Sequence, residues 1–193
     1  MSYPKPHSGF TLIELLVTLS VLSIMLGIAV PSFQDTLDKR RLKGAAEQLY
    51  ADLQLSRFEA IKSNKQIAVS FKNLGTDTAW CYGMDDDLSN ACDCTAVTSN
   101  CTVSTAPKLF TSSGFRGVSM TATSLGSNNL CVDPQRGKFS SGTISATSCS
   151  ATTAGSITLT SASGTVNIET TALGRLRLCS PAGTDHIEDY GTC

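Results

Sequence analysis

Aromatic residues are scarce in this 193-residue chain, at 6% with one tryptophan, so any core must lean on aliphatics and on other staples. Histidine is scarcer still: two residues, His7 and His186, leave little for acid–base or metal chemistry. Neither sign of charge is in excess. A formal net charge of −1 argues against the all-over positive field of a histone-like nucleic-acid binder. The motif Gly-x-Ser-x-Gly is missing, and Cys92-x-Cys94 is not the C-x-x-C of thiol oxidoreductases. A hydrolase or redox enzyme therefore has almost no support. Cysteine is absent from the first 80 residues, yet eight cysteines follow between positions 81 and 193. An even number so placed points to disulfides made in an oxidising compartment. The length allows one globular domain and a remainder.

The remainder is at the amino terminus. Phe10 to Val30 is an apolar run of 21 residues whose sole ionisable side chain is Glu14. That length matches a bilayer core at a helical rise of about 1.5 Å per residue. A cleaved secretory signal would end in small residues behind the run, but Pro31-Ser32-Phe33 leads directly into a second helical pattern. A single-pass anchor is the plain reading, and Glu14 complicates it. A carboxylate in a lipid-facing helix costs about 2.5–3.5 kcal/mol and needs a partner. Cleavage between Gly9 and Phe10 would create an α-amino group that, on a neighbouring copy, supplies the missing positive charge.

Gly9-Phe10-Thr11-Leu12-Ile13-Glu14 closely resembles the class III leader of type IV pilins and pseudopilins. The resemblance implies that residues 1–9 are a leader removed after Gly9 by a prepilin peptidase. Phe10 would then be N-methylated, and Glu14 would guide the subunit into a filament of major and minor pilins. It also implies a precursor held in the bacterial inner membrane by residues 10–30, with its head in the periplasm, and later a pilus at the cell surface.

Beyond Pro31, Leu42, Ala45, Ala46, Leu49, Leu53, Ala60 and Ile61 recur at three- and four-residue steps, the stripe of an amphipathic helix over residues 31–65. Its opposite face mixes Lys39, Arg40, Arg41, Lys43, Arg57, Lys62 and Lys65 with acids, as solvated surfaces and filament contacts do. Ser63-Asn64 is a plausible stop, and loosening is expected near Gly27 and Pro31. After residue 65 the period becomes two. Ile67, Val69 and Phe71 alternate with polar residues, as do Ile157 with Leu159 and Val166 with Ile168, the last two pairs flanking a turn at Ser161–Gly164. Further short strands are expected at Trp80–Tyr82, Leu109–Phe110, Val118–Met120, Asn129–Val132 and Leu176–Cys179. The Ser-, Thr-, Gly- and Asn-rich stretches between them read as loops. The expected fold is α+β: a long pilin helix against an antiparallel β-sheet head at 66–193.

Cys81, Cys92, Cys94 and Cys101 cluster, with Cys131, Cys149, Cys179 and Cys193 further on. Zinc is the alternative to disulfides, but paired C-x₂-C knuckles are missing. Eight cysteines allow 105 pairings, one of which, Cys179 to Cys193, would pin the tail. Asp85, Asp86, Asp87 and Asp93 make residues 81–101 acidic. Calcium is conceivable there, although Asn90 and Ala96 stand where an EF-hand has its glycine and closing glutamate, and a solvated acidic loop is the simpler reading.

Residues 107–179 carry Lys108, Arg116, Arg136, Lys138, Arg175 and Arg177 against only Asp133 and Glu169. In Gly174-Arg175-Leu176-Arg177-Leu178-Cys179 a strand would send both arginines to one face and both leucines to the other. Guanidiniums about 7 Å apart roughly match successive phosphates along a DNA strand, and their planar forks bind phosphate oxygens without titrating. Gly174 would relieve the entering backbone or admit a phosphate closely. The other reading is an edge strand charged against aggregation.

With Val132-Asp133-Pro134-Gln135-Arg136-Gly137 upstream, the segment resembles the GspH/FimT group of minor pilins. In FimT-type members a Gly-Arg-x-Arg motif binds DNA during natural transformation. The resemblance implies double-stranded DNA as partner, bound by Gly174, Arg175 and Arg177; the neighbouring basic residues Lys138, Arg136 and Lys108 are expected helpers, and no cofactor is expected. A purely structural minor pilin that primes pilus assembly, or the matching pseudopilin of a type II secretion system, is the competing expectation.

Overall fold

The computed structural model describes residues 9–72, 79–89, 92–96, 99–123, 125–145, 148–153, 155–171 and 173–193, with backbone alone for 29–32, 123, 126 and 148–153. The expected leader, apart from Gly9, lies outside the described residues. Two compact units emerge, 1–37 and 38–193.

In the first unit, helix α1 (Leu12–Ser63) begins where Thr11 accepts the Glu14 amide at 3.3 Å through its hydroxyl. Thr11 thus caps the third helical residue, and Glu14 adds negative charge to the first turn, where the helix dipole favours it. Phe10 and the aliphatic side chains from Leu12 to Ile28 are exposed in the isolated chain. This is a helix long and apolar enough to cross a membrane. The expected loosening does not interrupt α1, which is helical through Gly27 and Pro31: one missing amide costs one bond, and the neighbouring turns keep theirs.

In the second unit the same helix buries Leu42, Ala45, Ala46, Leu49, Leu53 and Ala60. Ile61 departs from the stripe and is 51% exposed. The step Leu53–Ser56–Ala60 continues the buried face instead, because the Ser56 hydroxyl is satisfied within the helix by the Leu53 carbonyl at 2.7 Å. Asn64, at φ 52°, ends the helix in the left-handed conformation that asparagine tolerates.

The strands are β1 (Ile67–Lys72), β2 (Cys81–Asp85), β3 (Thr102–Val103), β4 (Ala106–Pro107), β5 (Leu109–Thr111), β6 (Ser119–Thr123), β7 (Asn129–Val132), β8 (Phe139–Ser145), β9 (Ser148–Thr153), β10 (Ser156–Ser161), β11 (Gly164–Thr170) and β12 (Leu176–Cys179). They form two main antiparallel sheets rather than one, a six-stranded β5-β2-β1-β7-β8-β9 and a four-stranded β12-β11-β10-β6, beside the small pair β3-β4. Strands β8 and β9 occupy a segment that reads as loop from its composition. Ser141 and Gly142 are buried in β8, so small residues fill positions where the alternation rule looks for aliphatics.

Strand β1 is also buried on both faces, not one. Ile67, Val69 and Phe71 join the core with the helix stripe, Tyr82, Leu130, Val132 and Phe139. On the other face Ala68 and Ser70 lie opposite Asp85, Gly83 and Cys131, beneath the cysteine-bearing loop. There Cys81 is bridged to Cys94 and Cys92 to Cys101, and the four form a buried cluster of their own. A side chain at Gly83 would collide with both Cys92 and Cys101. The bridges serve as a second small core where aliphatics are absent. Cys131 is likewise disulfide-bonded, and the side chain of Cys149 lies outside the described residues.

The four-stranded sheet sends Met120, Ile157, Leu159, Val166 and Ile168 into the main core. The tail is fixed to its edge by the Cys179–Cys193 bridge and by paired main-chain bonds between Ser180 and residues 191 and 193. It then reaches α1: Tyr190 donates to Glu47 at 3.3 Å and Asp189 pairs with Lys43. Gly83→Ala should destabilise the head by about 1–3 kcal/mol through overpacking against the two bridges. Thermal unfolding of the oxidised protein measures this, and an unchanged midpoint would contradict the packing described.

Candidate functional site

Among the described residues strand β12 pairs only with β11, so it is a sheet edge. Its register sets Leu176 opposite Thr170, Arg177 opposite Glu169 and Leu178 opposite Ile168. Leu176 and Leu178 pack on the core, whereas Arg175, just before the strand, and Arg177 within it are exposed. The turn before the strand is closed by Thr171. Its carbonyl accepts the Gly174 amide at 2.7 Å, its hydroxyl accepts the Arg175 amide at 3.1 Å, and its amide donates to the Arg175 carbonyl at 2.8 Å. The two arginines differ in their surroundings. Arg177 donates through Nη2 to the Thr192 carbonyl, which ties it to the bridged tail, while Arg175 has no ion pair among the described residues.

Gly174 does not present bare backbone to a ligand. It is buried at φ +72°, and a Cβ there would lie 2.9 Å from the Phe139 amide nitrogen and 3.0 Å from Lys138 Cα. The Phe139 amide donates to the Gly174 carbonyl at 3.2 Å. The space a side chain would need is thus filled by the six-stranded sheet. This close approach sets exposed Lys138 beside the start of β12.

Arg136 is exposed in the same β7–β8 turn. That turn is closed by the Gly137 amide on the Asp133 carbonyl at 2.8 Å and by the Asp133 amide on the Lys138 carbonyl at 3.0 Å. Lys138 is thus brought beside Arg175, with Arg136 in the same turn as Lys138 and Arg177 two residues beyond Arg175. Lys108 lies apart. Its carbonyl accepts the Met84 amide at the β5 edge, four strands from β8 and so roughly 19 Å away. There it lines a small cavity with Gln48, Asp52 and Tyr82. Local charge counting grouped it with residues the topology keeps apart. Conversely, the count overlooked Arg57 of α1, whose side chain lies against Gly137. No sequence signal links positions 57 and 137.

The acidic loop uses its carboxylates locally. Asp86 pairs with Lys65 at 3.3 Å, Asp87 accepts the Ser89 amide and hydroxyl, and Asp93 accepts those of Thr95. These bonds to Ser89 and Thr95 hold Asp87 and Asp93 below the usual carboxylate range. Asp85 differs: it is 2% exposed, and burial raises its pKa to about 6 despite the Asp87 amide it accepts at 2.8 Å. Glu169 approaches Cys179 and Cys193, but the sulfurs are bonded to each other and offer no thiolate to a metal.

A long amino-terminal helix with one early carboxylate, whose second half is buried in a disulfide-bearing β head, is the architecture of a pilin-type subunit. Residues 45–174 match the family model described as type II transport protein GspH, and residues 4–30 match the prokaryotic N-terminal methylation motif. The chain belongs to the GspH family, and it is a minor pilin or pseudopilin. Among curated proteins, none matches it. Among solved structures, the type IV minor pilin FimU of Pseudomonas aeruginosa is similar in two crystal forms. Identities are 18% and 16%, coverage is 76% and 74% of this chain and 96% and 98% of that one, and TM-scores are 0.45 and 0.43.

The raised pKa of Asp85 has a signed consequence. Above pH 6 the carboxylate is ionised in both folded and unfolded chains, and the folded state carries the burial penalty, about 3 kcal/mol at full effect. Between pH 6 and 3.8 the folded state takes up the proton first, and the penalty disappears. Asp85→Asn should therefore raise the unfolding midpoint at pH 7.5 and lose most of that advantage at pH 4.5. A pH-independent difference between the two proteins would contradict the assignment.

Proposed function

We propose that this minor pilin binds double-stranded DNA through phosphate contacts from Arg175 and Arg177, aided by Lys138 and Arg136, and assists DNA uptake in natural transformation. The observation that supports the reading is the exposure of both arginines at a sheet edge, Arg175 immediately before strand β12 and Arg177 within it. Two guanidiniums two residues apart on a strand sit about 7 Å from each other, close to the phosphate repeat. Contacts of this kind position a duplex without reading its sequence. Few charges are engaged per subunit, so several heads on one filament would gain by avidity. In this reading prepilin peptidase cleaves after Gly9, Phe10 is methylated, and the inner-membrane precursor carries its head in the periplasm. Glu14 meets the terminal amine of a neighbouring pilin as the filament extends to the cell surface.

One observation favours the structural alternative, a subunit that primes pilus assembly or serves type II secretion. Arg177 already holds the Thr192 carbonyl, so it has work in the tail without any ligand. The readings separate in the double variant Arg175→Ala with Arg177→Ala. Under the DNA-binding proposal, the detergent-solubilised protein loses its gel shift with random-sequence duplex, and transformation falls while piliation persists. Wild-type DNA binding by the folded double variant, or loss of pili with DNA binding unchanged, would defeat the proposal.

A further inference from the structure

We propose that Arg57, on the head portion of α1, is a further phosphate-binding residue of this surface, and that Gly137 is the residue that seats it. The inference rests on the DNA-binding reading and extends it to an element the Gly-Arg-x-Arg motif does not include.

Gly137 is buried at φ +59°, and a Cβ there would lie 2.7 Å from Arg57 Nε, 3.1 Å from Arg57 Cγ and 2.9 Å from Ile61 Cδ1. The stem of Arg57 therefore crosses the bare backbone of the β7–β8 turn, which brings the guanidinium beyond Nε to the turn that carries Arg136 and Lys138. Gly174 repeats the device one step further along. The space its side chain would fill is taken by Lys138, so Arg57, Lys138 and Arg175 follow one another across Gly137 and Gly174. These cations come from three elements: α1, the β7–β8 turn and the start of β12.

The acids closest along the chain are Glu59 on α1 and Asp133 in the turn, and Glu169 stands opposite Arg177. Asp133 accepts the Gln135 amide at 3.0 Å, and Glu59 pairs with Lys62 at 3.3 Å. Arg57 has no ion pair among the described residues. A half-buried arginine with its stem fixed by packing and its charge uncompensated is arranged for an external anion. Its planar fork suits phosphate oxygens, and the restraint on its stem lowers the ordering cost of binding.

Salt dependence tests the proposal, because each phosphate contact adds about 0.9 to the slope of log K against log salt on B-form DNA. The full-length protein in non-ionic detergent would be titrated into a fluorescent random-sequence duplex over a salt series. Arg57→Gln keeps most of the stem over Gly137 and removes only the charge. It should shallow the slope by about 0.9 and weaken binding about eightfold at 0.1 M salt, whereas Arg57→Lys keeps the wild-type slope. Gly137→Ala, which displaces the stem, should lower the slope with Arg57 still present. Wild-type affinity and slope in Arg57→Gln, together with weakened binding in Arg175→Ala, would overturn the role of Arg57 and leave the DNA-binding reading standing. No duplex binding by the wild-type protein would overturn both.

Discussion

The Phe139 amide meets the Gly174 carbonyl at 3.2 Å, and that meeting is possible only because residue 174 has no side chain. Phe139 opens β8 of the six-stranded sheet, and Gly174 lies in the turn between β11 and β12 of the four-stranded one. The bond is thus a seam between the two sheets. At φ +72° the backbone is in a region that glycine enters without the strain other residues meet. The juxtaposition of Lys138 and Arg175 depends on the seam. Lys138 precedes one partner in the chain, Arg175 follows the other, and the closeness of the two charges is a by-product of sheet packing.

The six-stranded sheet shows a related economy. Its inner face takes the aliphatic stripe of α1 together with stacked aromatics, Tyr82 and Phe110 having ring centroids 5.1 Å apart. Its outer face has too few large side chains for a hydrophobic layer. Ala68, Ser70 and Gly83 leave a shallow surface there, which the Cys81–Cys94 and Cys92–Cys101 bridges cover. The scarcity of aromatics and the abundance of cysteines in the sequence are two sides of one solution.

Much of this was legible beforehand where one-dimensional periodicity carries the information. The stripe from Leu42 to Ala60 and the alternation around Val166 and Arg177 follow from spacing along a single element, while Gly9, Phe10 and Glu14 fall in a motif that the N-terminal methylation model matches. The failures share a physical cause. Strand β8 buries Ser141 and Gly142, small residues that composition alone reads as loop. Ile61 was misplaced because Ser56 satisfies its own hydroxyl and keeps the stripe turning. Lys108 was grouped by sequence charge with residues four strands away. Arg57 was set among solvated charges, since its contact with Gly137 spans two elements that no periodicity connects. Of the two readings of Gly174, relief of the entering backbone agrees with its φ of +72°, whereas the space a phosphate would need is occupied by Lys138.

The central claim is that the seam at Gly174 organises the basic surface. Its most direct test is amide hydrogen exchange at Phe139, measured in the wild-type protein and in Gly174→Ala alongside duplex binding. The account predicts a protected Phe139 amide in the wild type. In the variant, that amide should exchange much faster, the core amides of β1 and β7 should stay protected, and the duplex binding proposed for this surface should weaken. Equal protection of Phe139 in both proteins, with DNA affinity unchanged, would contradict it.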